Sequence, residues 1–183
     1  MTRYAVFLRG VNVGGVTLKM AAVTRALEAA GFTGVRTILA SGNVLLDSQA
    51  DAATVKDGAE RALRDEFGYQ AWVLVYELEC VAHISAAYPF PRERDGHHSY
   101  VTLVSDDDVL RELFDLASDP GPGERIAPGD GVVYWQVPRS ATLQSAMGRT
   151  MGRKRYKSST TTRNLRTIDK VLRLGAATGR ESR

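Results

Sequence analysis

The sequence predicts an α+β fold, and three observations support that class. Short apolar runs at Tyr4–Leu8 and Gln70–Tyr76 have the length of buried strands. Between them, two longer segments repeat apolar residues at the spacing of an amphipathic helix. The Ser41-Gly42-Asn43 tripeptide separates two further short strands, because glycine and asparagine tolerate the positive φ of a tight hairpin. Strands and helices therefore alternate in short elements.

The first helix is predicted over Lys19–Ala30, with Thr17 as its N-cap and Gly31 as its stop. Its inward face carries the apolar residues Met20, Val23, Leu27 and Ala30. The two hairpin strands are predicted at Val35–Ala40 and Val44–Asp47.

The second helix is predicted over Ala52–Phe67 and ends at Gly68. It has an apolar stripe of Val55, Ala59, Leu63 and Phe67. With the strand at Gln70–Tyr76, the order is β-α-β-β-α-β, which is that of the split βαβ or ferredoxin-like fold. We expect residues 1–77 to form this ferredoxin-like unit.

A second, smaller α+β unit is predicted over residues 78–175, followed by a flexible tail at 176–183. The last helix is predicted to begin near Thr161 or Thr162 and to stop at Gly175. The remaining predicted elements of this unit are helices at Leu78–Ala87, from Asp106 and at Thr142–Met151, a strand at Ser99–Val104, and two strands flanking Pro128–Gly131.

The charge distribution is asymmetric. Residues 1–138 contain 12 Lys/Arg and 19 Asp/Glu, a net charge of −7, whereas residues 139–183 contain 12 Lys/Arg and two acidic residues, a net charge of +10. This pattern predicts an anionic partner for the C-terminal part, either an external ligand or the protein's own acidic half. No apolar run approaches the ~18 residues of a membrane span. A single cysteine, Cys80, excludes an internal disulfide and indicates the cytoplasm.

The glycine-rich segment after the first strand is the first candidate for ligand binding. Gly10 and Gly15 have the spacing of a phosphate-binding P-loop, but Val16 occupies the position of the lysine that reaches the outer phosphates. A P-loop mechanism is therefore excluded. Free backbone N–H groups at this turn, which also contains Asn12 and Gly14, still suit an anion.

In the predicted topology, the first two strands run in the same direction and end at the same end of the sheet. Arg9 and Asn12 would there meet the turn residues Ser41, Gly42 and Asn43, which would together surround an anion or a polar ligand. The alternative is that the two asparagines only stabilise their own turns.

The C-terminal basic segment is the second candidate. Arg149, Arg153, Lys154, Arg155 and Lys157 surround Tyr156. Lysine and arginine neutralise phosphates and tyrosine stacks on bases, so this segment suits nucleic acid. The Thr162, Arg163 and Asn164 segment that follows adds hydroxyl, guanidinium and amide groups at a predicted helix start.

The sequence predicts no metal site and no cofactor. His97 and His98 are adjacent in a strand, so their side chains alternate between its faces. Cys80 and His83 have helical spacing but lack a third ligand.

Four ordered motifs resemble a bacterial domain-of-unknown-function family, number sixteen ninety-seven. They are LRGVNVGG (8–15), GFTGVRTILASGNVLL (31–46), PFP (89–91) and TTTRNLRTIDKVL (160–172). The resemblance covers residues 3–174 and implies a two-part α+β fold with ferredoxin-like elements, but no established activity. Leu165 and Arg166 stand where the family usually has tryptophan and asparagine, and Val16 where a basic or polar residue is frequent.

The first functional hypothesis is a protein that binds an anion without catalysis, either nucleic acid or a nucleotide-like or phosphorylated metabolite. An alternative is an enzyme acting on a phosphorylated small molecule, with Arg9 and Arg163 as clamps. A third hypothesis is an interaction module that self-associates through its acidic and basic halves.

Overall fold

The computed structural model describes residues 1–9 and 18–178. Within these residues the chain forms two four-stranded antiparallel sheets and six α-helices. It divides into two compact units, one comprising Met1–Ala82 with the chain from Lys170 onward, the other comprising His83–Asp169.

The first unit builds one sheet from four strands, and two helices pack on it. Its elements follow the predicted order β-α-β-β-α-β. In chain order these elements are β1 (Thr2–Arg9), α1 (Met20–Ala29), β2 (Thr33–Ile38), β3 (Asn43–Ser48), α2 (Ala52–Phe67) and β4 (Trp72–Glu77). The strand order in the sheet is β2-β3-β1-β4, with every neighbouring pair antiparallel. Helix α3 (Leu78–Ala86) follows β4 directly.

The core of the first unit lies between one face of this sheet and the helices α1 and α2. Tyr4, Val6 and Leu8 alternate along β1 and pack with the buried side chains of both helices. Helix α2 has the predicted bounds, Asp51 caps it by accepting a hydrogen bond from the Thr54 N–H, and Gly68 ends it with a φ of 65°.

The second unit repeats the element order of the first. Its elements are β5 (His97–Val104), α4 (Asp107–Asp115), β6 (Arg125–Gly129), β7 (Val132–Pro138), α5 (Ala146–Met151) and β8 (Thr160–Asn164), with α6 (Leu165–Thr178) directly after β8. The strand order is β6-β7-β5-β8, which corresponds strand for strand to that of the first sheet. Its core contains Val133, Trp135, Val137, Leu113 and Met147.

Two helix starts were predicted wrongly. Helix α1 begins at Met20, so Lys19 occupies the N-cap position, and its side chain makes no capping bond. The prediction of Thr17 as the N-cap is therefore wrong. Thr17 itself lies outside the described residues. The predicted helix over Thr142–Met151 is shorter, because Ser145 accepts a hydrogen bond from the Gly148 N–H and starts α5 at Ala146.

The last helix differs from the prediction at both ends. Thr160–Asn164 is a strand rather than a helix start, because its β-branched threonines pair with β5, and α6 begins at Leu165. The helix continues through Gly175, where a Cβ atom would lie 2.5 Å from Leu78, so this glycine permits close packing rather than ending the helix. Residues 176–178 are therefore helical rather than part of the predicted tail, and residues 179–183 lie outside the described part.

Candidate functional site

The strand register confirms which elements meet at the glycine-rich end of the first sheet. Phe7 is paired with Asn43, and Arg9 is paired with Trp72 at the start of β4. Burial lowers the pKa of the half-buried Arg9 guanidinium, which stays cationic at neutral pH. The other predicted residues of this loop, Gly10, Asn12, Gly14 and Gly15, lie outside the described residues.

The polar groups of the Ser41-Gly42-Asn43 turn are used within the hairpin. Asn43 is fully buried, and its Nδ2 donates to the Ile38 carbonyl and to the Ser41 Oγ, both at 2.9 Å. The Gly42 carbonyl accepts a hydrogen bond from the Leu8 N–H at 2.7 Å. These contacts correspond to the alternative in which the asparagine stabilises its own turn.

The matching turn of the second sheet accepts an equivalent backbone hydrogen bond. There the N–H of Val104, at the end of β5, donates to the Gly131 carbonyl at 3.0 Å. Gly42 and Gly131 have φ values of 76° and 65°, so both turns use the left-handed conformation that glycine adopts without strain. We call this end of each sheet the hairpin end. The turn glycine at this end, Gly42 or Gly131, is thus a structural feature that both units share.

Thr162 and Arg163 are also engaged with their neighbours. The Thr162 Oγ1 lies 2.8 Å from the Thr102 Oγ1 on β5. Arg163 is 8 % exposed, and its Nη1 donates to the Thr161 Oγ1 and to the Thr162 carbonyl. Their polar groups hold β8 in place, so neither side chain lines the cleft described next.

Asn164 is the predicted site residue that lies on an open cleft. Its Oδ1 accepts a hydrogen bond from the Arg166 N–H at 3.0 Å and caps the start of α6. The cleft has a volume of about 170 Å³ and lies wholly within the second unit. We call it the basic cleft; it is lined by Arg92, Arg94, His97, His98, Ser99, Arg139, Asn164, Leu165, Arg166 and Asp169.

Strand pairing explains why these residues converge. Strand β8 ends at Asn164, opposite Tyr100, whereas β5 extends further back to His97, which pairs with Pro138 at the end of β7. The start of β5 and the ends of β7 and β8 therefore meet at one end of the sheet, opposite its hairpin end. Arg139 follows β7 and Arg166 lies in the first turn of α6, so both reach this end.

The four arginines of the basic cleft fall into two groups. Arg92 forms two hydrogen bonds to the Asp169 carboxylate, at 2.6 and 2.8 Å, and Arg166 contacts Glu93 at 3.1 Å. Ser85 stabilises the first pair, since its Oγ donates to Asp169 and accepts from Arg92.

Arg94 and Arg139 form the second group. Across the described parts of the chain, neither guanidinium has a carboxylate within 4.0 Å or a side-chain hydrogen bond. The basic cleft therefore presents two uncompensated positive charges.

The two histidines differ in their contacts. His97 Nδ1 lies 2.8 Å from the Asp95 carbonyl, which an Nδ1–H would satisfy. The His98 ring rests against Tyr100, which in turn stacks on Trp135 with centroids 4.4 Å apart. Burial, and then repulsion by Arg139 and Arg166, lower the pKa of His98.

Two residues of the C-terminal basic segment are engaged within their own unit. Tyr156 is 5 % exposed and belongs to the core of the second unit, and its hydroxyl donates to Glu112 at 3.2 Å. Arg155 pairs with the same glutamate. The expectation that Tyr156 stacks on a base is therefore wrong.

Sequence reasoning missed most of the basic cleft. No sequence pattern sets Arg92, Arg94 or Arg139 apart, and His97 and His98 are predicted only to lie in a strand. The available signal was the pattern of strand ends, because His97 and Arg139 lie next to predicted strands. It could not be used without knowing which strands pair.

No helix within residues 1–9 and 18–178 is long and apolar enough to cross a membrane. The same residues contain no group of three or more histidine, cysteine or acidic side chains placed to hold a metal ion.

A family model described as "Protein of unknown function (DUF1697)" matches residues 1–134. The chain belongs to this family. The family model stops before Arg139, Asn164 and Arg166, so the match says nothing about that part of the basic cleft. No curated protein matches the chain.

The fold is similar to that of a solved structure, the conserved bacterial protein SP0830 from Streptococcus pneumoniae. The TM-score is 0.79 at 20% sequence identity, over 95% of this chain and 98% of that protein. An unknown protein from Galdieria sulphuraria aligns over 99% of this chain and 93% of its own, but with a TM-score of 0.27 and 11% identity. The first likeness shows a shared fold.

Proposed function

We propose that this protein of the DUF1697 family binds an anionic ligand in the basic cleft of its second unit. The observation that carries the proposal is the pair of arginines, Arg94 and Arg139, that face one cleft without a carboxylate partner among the described residues. Guanidinium groups bind phosphate and carboxylate oxygens through two parallel hydrogen bonds, which favours such ligands over neutral ones.

The surrounding contacts support a preorganised site. Asp169 holds Arg92 through both carboxylate oxygens, and Asn164 fixes the start of α6. The positive end of the α6 dipole and the N–H groups of its first turn add to the attraction for an anion. Binding without catalysis fits these contacts, because the Asp169 carboxylate is already occupied by Arg92 and Ser85.

An enzyme acting on a phosphorylated small molecule remains the second candidate, and His98 is the observation that favours it. Its imidazole has no hydrogen-bond partner in the described chain, and its lowered pKa leaves it neutral near pH 7, as a general base requires. The candidate now depends on His98 rather than on Arg163, which is buried in contacts of its own strand.

We also infer that the first unit has the ferredoxin-like fold, on the support of its β2-β3-β1-β4 strand order. An anion site at the hairpin end of this unit, built from Arg9, the glycine-rich loop and the Ser41–Asn43 turn, stays a prediction. Its support is weaker, because Asn43 is fully buried and bonded within the turn.

Calorimetric titration at low salt tests the proposal, with inorganic phosphate, nucleotides and a short RNA as probes. We expect binding that weakens as salt rises and that falls by about tenfold or more in Arg139→Ala, since one charge-assisted contact contributes about 1.5–3 kcal/mol. Arg111→Ala is the matched control, because Arg111 is an exposed arginine of the same unit that pairs with Asp108 on α4. Equal weakening in both variants, or no binding of any probe, would contradict the proposal.

A further inference from the structure

The charge balance of the basic cleft constrains the kind of anion that fits. Arg92 and Arg166 are each offset by a carboxylate, Asp169 and Glu93, whereas Arg94 and Arg139 are not offset among the residues that the structure describes. Two positive charges match a phosphate monoester, which carries nearly two negative charges at neutral pH. A phosphodiester carries one charge and would leave one guanidinium uncompensated.

The uncharged donors of the cleft point to the same ligand. The Asn164 Oδ1 is used by α6, which leaves its amide nitrogen as a donor. A neutral His98 contributes one N–H. A terminal phosphate has three non-bridging oxygens to accept such donors, one more than a phosphodiester.

The aromatic side chains near the basic cleft do not form a surface for a nucleic-acid strand. Single strands are bound along extended grooves in which successive bases stack on exposed rings. Here Trp135 is 2 % exposed, and the only rings among the described lining residues are the imidazoles of His97 and His98. The cleft volume is about 170 Å³. That space suits a phosphate with a small organic body.

We propose that the basic cleft binds the terminal phosphate monoester of a small molecule, with Arg94 and Arg139 as its two charge partners. The inference rests on the proposed function and narrows it to one ligand class. It excludes a phosphodiester backbone as the preferred ligand.

The test compares ligands that differ in their phosphate ester. Calorimetric titrations at low salt and slightly alkaline pH use adenosine 5′-monophosphate and inorganic phosphate, both largely dianionic, against 3′,5′-cyclic AMP and an oligoadenylate without a terminal phosphate. We expect the tighter of the two dianionic probes to bind about tenfold or more tightly than either diester. That preference is expected to disappear in Arg94→Ala and in Arg139→Ala and to persist in Arg111→Ala.

The outcomes distinguish anion binding in the cleft from the preference for a phosphate monoester. A diester that binds as tightly as the dianions in the wild-type protein would overturn the monoester inference and leave anion binding in the cleft intact. Failure of all four probes to bind would overturn both. A monoester preference that survives Arg94→Ala and Arg139→Ala, while both variants keep the wild-type melting temperature, would overturn the assignment of these two arginines.

Discussion

The two units have the same strand order but differ in charge at corresponding ends of their sheets. At the end opposite the hairpin, the first unit places Arg3 against Asp47 at 2.7 Å, with Glu77 as the last residue of β4. At the corresponding end of the second unit, Arg139 follows β7 and Asn164 is the last residue of β8. These groups give the first end no positive excess, whereas the second end has one.

The hairpin ends, by contrast, are alike. Leu8 donates to Gly42 in the first unit and Val104 donates to Gly131 in the second. A feature that both units share is explained by the fold that both must form. The two uncompensated arginines lie at the end opposite the hairpin in the second unit and have no counterpart among the described residues at the corresponding end of the first unit, so we interpret them as a functional feature.

Removal of both uncompensated arginines is expected to have the largest effect on binding. We expect Arg94→Ala combined with Arg139→Ala to weaken binding of a dianionic phosphate probe by about a hundredfold or more, since each charge-assisted contact contributes about 1.5–3 kcal/mol. Calorimetric titration measures the loss, and the melting temperature checks folding. A double variant with wild-type affinity would show that the second unit's charge excess has no binding role.

A substitution at the hairpin end of the first unit should lower stability and leave anion binding unchanged. Asn43→Ala removes the buried amide that donates to the Ile38 carbonyl, and we expect it to lower the free energy of unfolding by about 1–3 kcal/mol. Anion binding should not change. Urea denaturation and the phosphate titration, run on the same variant, check both expectations; a stable variant with lost affinity would restore the hairpin end as the site.

The ion pair at the opposite end of the first unit should matter less. Arg3→Ala breaks a partly buried pair with Asp47, and we expect a loss of about 1 kcal/mol in the free energy of unfolding with unchanged phosphate affinity. The measurement is again urea denaturation with a parallel titration. Weaker phosphate binding in Arg3→Ala would indicate that the two sheet ends share a role that their charges do not suggest.

The smallest expected effect is the pH dependence of folding stability that is due to His98. Burial, Arg139 and Arg166 lower its pKa in the folded state, so the unfolded chain takes up this proton at a higher pH than the folded chain. Stability should therefore decline as the pH falls below about 6.5, and His98→Gln should remove that part of the decline. Melting temperatures between neutral and mildly acidic pH test this, with His83→Gln as the control; equal slopes in both variants would contradict it.

Much of the fold followed from local patterns. The apolar periodicity of Ala52–Phe67 is a local signal, and this helix forms with the predicted bounds. The glycine turn is also a local signal, but it spans residues 39–42 rather than Ser41–Asn43, because β2 ends at Ile38 and β3 begins at Asn43. The start of the last helix was wrong because Thr160–Asn164 pairs with β5, some sixty residues away, and tertiary pairing overrides local propensity.

The site was harder to predict than the fold. Asn164 was predicted as a binding residue and lines the basic cleft, but Arg92, Arg94, His98 and Arg139 were not singled out. They come from the start of one strand and from segments flanking others, and they meet only through the β5–β7 and β5–β8 pairings. Glycine-rich turns stand out in a sequence, whereas arginines are ordinary surface residues until their missing partners are seen.

The central claim is that anions bind at the basic cleft of the second unit. Arginine side-chain NMR during titration with adenosine 5′-monophosphate or inorganic phosphate tests it most directly, because each Nε–H signal reports on one guanidinium. We predict saturable shifts of the Arg94 and Arg139 signals, with those of Arg3 and Arg9 unchanged. Shifts confined to Arg3 or Arg9 would contradict the account.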